Sequence, residues 1–245
     1  MGDAPVRRAG GRQARLGRRA RPQEASAAAP ESLVTTSANP DGPMLVLACG
    51  AIANEIIALR EQLGIADEAM VLHCLPAELH NRPGQIALRV DAFLTEHRQK
   101  YSRVLIGYGD CGTGGALDKV LERHDANRLP QAHCYEFFAG TPLFDQITEA
   151  EVGSYFVTDF LVRHFDRLVW EGLGLDTRPD MLEAYFGNYR DLVYLAQTDA
   201  PILQVKAQEA AERLGLNYVY RKVGYGELAG FIAAAVGERE SDAHV

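Results

Sequence analysis

The sequence predicts an α/β fold of three layers, in which a mostly parallel β-sheet lies between helices. Short continuous apolar runs, typical of strands buried on both faces, alternate with segments whose apolar residues have helical spacing. Glycine and proline fall between these segments, where helices end and turns begin. This alternation is the pattern of a parallel sheet flanked by helices. The C-terminal half is predicted to be the more helical one.

Strands and helices are predicted in strict order in the first half. The strands are the apolar runs at 44–49, 69–74 and 103–109, followed by a short strand or turn at 131–140. Each of the first three is followed by a segment with apolar residues three or four positions apart. These helices are predicted at 52–64, within 82–101, and at 115–125.

In the second half, long helices are predicted at 151–173 and 176–197. The second of these either breaks near Gly187 and resumes, or becomes a strand at "LVYLAQ". The remaining elements are an amphipathic helix, an alternating exposed strand and a closing helix, at 201–216, 217–223 and 226–237.

Composition divides the chain into a tail and a body. Residues 1–42 are rich in Arg, Ala, Gly, Pro and Ser, cannot bury enough apolar surface to offset the entropy of ordering, and are predicted to be disordered. Residues 43–240 are predicted to form a single α/β domain. The tail has seven arginines and four carboxylates, a net +3, which leaves −11 on the remainder of a chain whose total charge is −8. An acidic body argues against nucleic acid as a partner. No apolar run reaches the roughly 18–20 residues that span a bilayer, so no membrane partner is expected.

Four cysteines lie at the ends of predicted strands. Cys49 ends "LVLAC", Cys74 ends "MVLHC", Cys111 follows "VLIGYGD" and Cys134 ends "QAHC". The carboxyl ends of parallel strands share one edge of a sheet, where ligand sites form, so the four thiols are expected to gather there. No apolar segment of a secretory signal follows the N-terminal arginines, and a cytoplasmic location is expected. Under its reducing conditions these cysteines are thiols, metal ligands or redox groups.

Thiolates are the ligands that zinc and iron–sulfur clusters prefer. Three cysteines with an open fourth position suit a catalytic zinc, whereas three or four suit a cluster equally well. The spacings of the four cysteines match no zinc-finger or ferredoxin motif, and zinc is the preferred interpretation. The alternative is that the cysteines pack as small apolar side chains or act as separate thiols.

The stretch "HCLPAELHNRPGQI", residues 73–86, is expected to form one wall of the site. Arg82 is a candidate for catalysis and for binding a substrate carboxylate or phosphate, because its guanidinium matches either group. His80 and Asn81 are candidates for substrate binding, although Asn81 before Pro83 equally suits a helix N-cap. Glu136, in "CYEFFAG", is a candidate general base or else a half-exposed carboxylate without a role.

The stretch "GYGDCGTGG", residues 107–115, is a glycine-rich turn between a strand and a helix. Gly109 and Gly112 are candidates for bringing the backbone close to a substrate. A dinucleotide site is disfavoured, because no acidic residue closes a second strand about 20 residues further on. The alternative is a tight connection without a ligand.

The phrases "VLACGAIANEI", "HCLPAELHNRPGQI", "YGDCGTGG" and "CYEFFAG" together resemble the family of domain of unknown function 1638, over roughly residues 44–235. The resemblance implies a link to corrinoid-dependent methyltransferase systems for methylated amines, and so to one-carbon metabolism. The matching residues are Cys49, Cys74, His80, Asn81, Arg82, Cys111 and Cys134.

Three functions follow from these observations. One is an enzyme that uses a cysteine-bound metal, with methyl transfer to or from a thiol, corrinoid or folate as its reaction. Another is a non-catalytic accessory protein that delivers a metal or corrinoid to a methyltransferase. The third is a metal-free enzyme with Cys111 or Cys74 as nucleophile. The chain has no Asp-x-His-x-x-Gly motif, so a corrinoid is expected through a partner protein, beside a small-molecule substrate. The oligomeric state is left open.

Overall fold

The strands of the protein divide between two parallel sheets, one in each half of the chain. A computed structural model describes residues 35–36, 39, 41–150 and 153–242. The α/β class with parallel strands flanked by helices is confirmed. Almost all of the predicted disordered tail lies outside the described residues. Where the chain is described, none of its helices has the length and apolar character needed to cross a bilayer.

The first sheet has β2 at its centre, with β3 on one side and β4 on the other. Strands β2 to β5 are parallel, and β1 runs antiparallel to β4, which also pairs with β5. The five strands are β1 (Thr35–Thr36), β2 (Met44–Cys49), β3 (Met70–Leu75), β4 (Arg103–Gly107) and β5 (Asn127–Arg128).

The second sheet has three parallel strands in sequence order. They are β6 (Ser154–Thr158), β7 (Asp191–Ala196) and β8 (Asn217–Lys222). The helices are α1 (Ala53–Gln62), α2 (Ile86–His97), α3 (Ala116–Arg123), α4 (Cys134–Ala139), α5 (Thr141–Ala150), α6 (Asp159–Arg163), α7 (Leu182–Phe186), α8 (Pro201–Leu214) and α9 (Leu228–Asp242).

Both faces of the central strand β2 are buried, which explains its continuous apolar sequence. Leu45 and Leu47 belong to a core formed with α2 and α3. Val46 and Ala48 belong to a second core formed with α1, α4 and α9. Because side chains alternate along a strand, neither face of β2 contacts water. This central strand therefore presents its end, rather than a face, to solvent.

The predicted helix at 151–173 is wrong in its first part, where β6 occupies Ser154–Thr158. The segment "SYFVT" consists mostly of β-branched and aromatic residues, which favour strands, and it pairs with β7. Thr158 then starts α6 by accepting a hydrogen bond from the Leu161 N–H. The aromatic residues that suggested a helical stripe point to both faces of a strand instead. A short π-helix, Asp166–Trp170, follows α6.

Two further predictions are resolved by pairing. Of the two alternatives for 176–197, the strand is confirmed, because Asp191–Ala196 forms β7 after the short helix α7.

The proposed fourth strand at 131–140 is wrong. Strand β5 comes earlier, at Asn127–Arg128, and Cys134 opens helix α4 rather than ending a strand. The buried neighbours Phe137 and Phe138 pack into the helix-covered core of the first sheet, which favours the helix.

A buried carboxylate ties the carboxyl ends of β6 and β7 together. Asp159 is 0% exposed and accepts hydrogen bonds from the Tyr194 hydroxyl, at 2.7 Å, and from the backbone N–H groups of Gln197 and Thr198.

Glu55 of α1 is also buried, and one of its carboxylate oxygens has no hydrogen-bond partner among the described residues. Burial raises the pKa of Glu55, and the negative charge of Asp159 raises it further.

We expect Glu55→Gln to stabilise the protein at high pH. A carboxyl group whose pKa is higher in the folded than in the unfolded state stabilises the fold while protonated, and that contribution is lost as the pH rises through the raised pKa. Glutamine mimics the protonated form at every pH. In urea unfolding, the two proteins should therefore be similar near pH 4.5, and the variant should be more stable by about 1 kcal/mol at pH 8.

Glu61→Gln is the matched control, because Glu61 is exposed on the same helix. It should change the free energy of unfolding by less than about 0.5 kcal/mol at either pH. A Glu55→Gln protein that is less stable than wild type at pH 8 would show that the charged carboxylate is held by the fold.

Candidate functional site

The carboxyl ends of β2, β3 and β4 bring three cysteines to one edge of the first sheet. In the register of β2 and β3, Cys49 pairs with Leu75 and Ala48 pairs with Cys74, so these two thiols lie on adjacent strand ends. Cys111 lies in the loop that follows β4, the other neighbour of β2. Cys49 also caps the turn that follows β2, because its sulfur accepts a hydrogen bond from the Ala51 N–H at 3.5 Å.

Cys134 reaches the same edge from the start of α4. The backbone N–H of Cys111 donates to the Ala132 carbonyl at 2.8 Å, which holds the two loops side by side. The Cys111 sulfur in turn interacts with the backbone N–H of Cys134. Cys134 therefore joins the other cysteines although it does not end a strand.

The four thiols form a partly buried group. Burial, with smaller contributions from the charges of Cys111 and Cys74, raises the pKa of Cys49 to about 11. Burial likewise raises the pKa of Cys134 well above its ordinary value, with the charges of Cys111 and Cys49 adding to the shift. The charge of Arg128 lowers the pKa of Cys111, but burial outweighs it and the net shift is upward. These thiols are therefore protonated at neutral pH.

Tyr108 lies beside this group and is 2% exposed. Its buried hydroxyl interacts with the Cys49 thiol and meets no other polar partner among the described residues. Cys111 and Cys74 are close enough that their charges would raise the pKa of Tyr108. A buried hydroxyl normally has a strong hydrogen-bond partner, so this one is placed to interact with a group held by the thiols.

The donor set of four thiols suits a soft metal ion, but the side chains are not arranged around one point. Within residues 35–36, 39, 41–150 and 153–242, no three His, Cys, Asp or Glu side chains have the arrangement of a metal site. The fold thus brings thiols, a donor type that suits soft metals, to one edge of the sheet. Side-chain rotation would have to complete a coordination sphere.

The glycine-rich loop that carries Cys111 is held by its own aspartate. The Asp110 carboxylate accepts hydrogen bonds from the N–H groups of Gly115, at 2.9 Å, and Gly114, and from the Thr113 hydroxyl. These bonds hold the pKa of Asp110 below its ordinary value, and the bond from the Gly115 N–H contributes most. The amides that could have received a phosphate are therefore already satisfied. Cys111 itself adopts a φ of 48°, a strained conformation for a residue other than glycine.

Gly109 is required by the fold at a close approach of two chain segments. A Cβ atom at this position would lie 2.6 Å from the Gln131 carbonyl oxygen and 3.0 Å from the Ala132 carbonyl carbon. Gly112 lies nearer the opening, with a φ of 80°, and a Cβ there would be 3.5 Å from Pro83. The substrate-binding role predicted for both glycines stays a prediction, and only Gly112 borders a pocket.

A cleft of about 270 Å³ opens beside Cys111 and Cys134, and we call it the thiol cleft. Four of its ten lining residues are aromatic side chains from α4, β6 and the loop before β7. Its lining residues are His80, Cys111, Gly112, His133, Cys134, Tyr135, Ser154, Tyr155, Phe156 and Tyr189. An apolar pocket adjoins the thiol cleft and shares four of its wall residues, namely His80, Cys134, Tyr135 and Tyr155.

The predicted wall segment divides between the site and its support. His80 lines both pockets, with its Nε2 atom 3.5 Å from the Tyr135 hydroxyl, and desolvation and the charge of His133 lower the pKa of His80. Asn81 caps no helix; its amide donates to the Leu168 carbonyl in the π-helix at 2.9 Å. Arg82 is exposed and borders neither pocket.

Glu136 has a structural place in the turn around α4. Its carboxylate accepts hydrogen bonds from the Ala132 N–H, at 3.2 Å, and from the Thr141 hydroxyl, at 3.0 Å. It therefore links the residues before α4 to those after it, and it borders neither of the two pockets. The catalytic roles predicted for Glu136 and Arg82 stay predictions.

The sequence did not identify the tyrosines of the site. The sequence around them predicts that Tyr155 and Phe156 are core residues and that Tyr108 belongs to the end of an apolar strand. The available signal for Tyr108 was its place between Gly107 and Gly109, where a large side chain in a glycine-rich turn is unexpected. No comparable local signal marks Tyr155, because its position depends on where β6 lies.

Gly109→Ala should disturb the loop that positions Cys111. The new methyl group would press on backbone atoms, which cannot rotate away, and we expect the free energy of unfolding to fall by about 2–3 kcal/mol in urea. Gly84→Ala is the control, because no atom lies within 4 Å of the added methyl group. Equal stabilities of the two variants would contradict the close approach at Gly109.

Comparisons with known proteins give a family but no activity. A search of curated proteins finds no match to the chain. Residues 74–232 match the family described as protein of unknown function (DUF1638). This range includes Cys74, Cys111 and Cys134, and Cys49 precedes it. The match extends over more than half of the sequence, and the protein is a member of the DUF1638 family.

Proposed function

We propose that the protein binds a thiophilic metal, as zinc or as an iron–sulfur cluster, through Cys49, Cys111 and Cys134, with Cys74 beside them. The observation that carries this proposal is the gathering of the four thiols at one sheet edge, where the buried Tyr108 hydroxyl has only the Cys49 thiol beside it among the described residues. Thiolates are the preferred ligands of both candidates. Zinc is the better match for three central cysteines, since a fourth position then stays open for a substrate.

The electrostatics favour this reading over a metal-free cysteine nucleophile. An activated cysteine needs a lowered pKa, which a nearby positive charge or histidine provides. In this group, burial raises the pKa of all four cysteines. A bound cation would reverse that effect, because it stabilises the thiolates that burial alone disfavours.

We extend the proposal to an enzyme of one-carbon metabolism that transfers a methyl group to or from a small thiol. A thiolate-bound zinc would deprotonate an incoming thiol at neutral pH. The thiol cleft has room for a small molecule next to Cys111 and Cys134. His80 lines that cleft and could orient the substrate, whereas Arg82 and Glu136 would act only after moving toward it.

The family resemblance supports a partner for this reaction, and the free cysteines support a compartment. We propose that the protein works in the cytoplasm, where reducing conditions keep its four free cysteines as thiols. We propose a corrinoid protein or a methyltransferase as its partner. Under the accessory-protein alternative, the same metal site would deliver its contents to that partner without turnover.

Metal analysis with a visible spectrum tests the site on full-length protein purified without oxygen and without added metal. We expect about one zinc per chain and no colour, or iron with sulfide and a brown colour. Cys49→Ala, Cys111→Ala and Cys134→Ala should each lose the metal. Tyr108→Phe should retain it, because the ring still fills the buried site and no ligand is removed.

Circular dichroism and urea unfolding of each variant separate loss of ligand from loss of fold. Several preparations without metal, which also bind neither zinc nor iron with sulfide when these are offered, would refute the proposal. A thiol nucleophile would then be the better interpretation. Retained metal in all three alanine variants would refute the assignment of the ligands.

A further inference from the structure

The apolar pocket beside the thiol cleft has a composition unlike the cleft itself. Its inner walls are aliphatic or aromatic, and those used below are Ala77, Phe160, Leu161, Leu168, Val169 and Leu173. The amide of Asn81 at its border is already bonded to the Leu168 carbonyl, and the His80 ring is next to the Tyr135 hydroxyl. The Asn81 amide nitrogen and the His80 ring are thus paired with protein groups, and the six inner-wall side chains named above contain no polar atom.

The pocket adjoins the cleft, and His80, Cys134, Tyr135 and Tyr155 border both spaces. Among the described residues, these four side chains alone lie between the two spaces, so a ligand in the thiol cleft would reach the apolar pocket by passing Cys134. Apolar cavities of this kind bind apolar groups and exclude water, so filling one displaces no tightly held water.

The volume of the pocket limits what it can hold. It measures about 40 Å³, and roughly 10–15 Å³ by the same measure accommodates one water-sized group. The space therefore takes about three carbon atoms. Ala77 is buried in this wall, and part of the pocket volume exists because its side chain is small.

We propose that the ligand of this site carries a straight alkyl group of about three carbon atoms, which occupies the apolar pocket while the remainder lies in the thiol cleft. The chemical class is a small alkyl-bearing molecule whose reacting atom lies next to the alkyl group, at Cys134. That this ligand is the substrate rests on the proposed function. The alkyl selectivity belongs to the pocket, so it can be measured without a metal.

The test uses straight-chain alcohols from methanol to hexanol as probes, on the full-length protein as purified. Binding is followed by NMR chemical shifts of the methyl groups of Leu161, Leu168, Val169 and Leu173. We expect the affinity to rise about fourfold per added carbon, as each buried CH₂ group contributes. The rise should stop at about three carbons, where the pocket is full.

Two variants change the pocket in opposite directions. Ala77→Leu should fill it, and the affinity for propanol should fall at least about tenfold, because most of the buried CH₂ contribution is lost. Leu173→Ala should enlarge it and shift the end of the rise to chains that are longer by one or two carbons. Ala92→Leu, at an exposed position of α2, is the matched control and should leave the series unchanged.

Affinity that rises without a break to hexanol, or an unchanged series in Ala77→Leu, would overturn the proposal. So would the absence of shifts at the methyl groups of the four reporter residues. The series is repeated after one equivalent of zinc is added, and the metal content of the same samples is measured. A normal chain-length series in protein that binds no metal would overturn the metal proposal alone, and a metal-loaded protein without the series would overturn the alkyl pocket alone.

Discussion

The parallel pairing of β2 with β3 and β4 is the constraint on which the site depends. Both faces of β2 are buried under helices, so its register with its neighbours is held by two cores at once. A shift of one residue would move Leu45 and Leu47 to the wrong face. The same register places Cys49 beside the end of β3 and below the loop that carries Cys111. The positions of the thiols are therefore a consequence of core packing at the other end of the same strands.

The loop around Cys111 shows how the backbone is held in a strained conformation near that edge. Asp110 satisfies two loop amides, the Ala132 carbonyl accepts from the Cys111 N–H, and Gly109 allows Gln131 to approach. Each contact would be lost if the loop relaxed, so together they stabilise the positive φ of Cys111. Strain that is held in this way is frequent at functional sites, and here it brings a thiol toward Cys134.

Clustering four poorly solvated thiols is unfavourable if they are to ionise, since each thiolate would repel the next. In the proposed metal site, a bound soft cation would remove this conflict, and the buried Tyr108 hydroxyl would then gain a charged neighbour. The aromatic side chains of the thiol cleft and the aliphatic pocket beside it add apolar surface to the same region. Weak solvation would strengthen charge interactions there, which would suit the proposed deprotonation of a thiol.

The sequence by itself determined the alternation of strands and helices and the position of three cysteines at or after strand ends, because these follow from local apolar patterns and the short reach of a turn. It also determined that the glycine-rich turn follows β4. Only the tertiary structure decided that the strands form two sheets, that Ser154–Thr158 is a strand, and that Cys134 starts a helix. Those outcomes depend on pairing with residues far along the chain, as β6 does with β7. The grouping of Cys134, Tyr108 and Tyr155 was decided in the same way, since long-range packing leaves no periodic trace in the residues that it brings together.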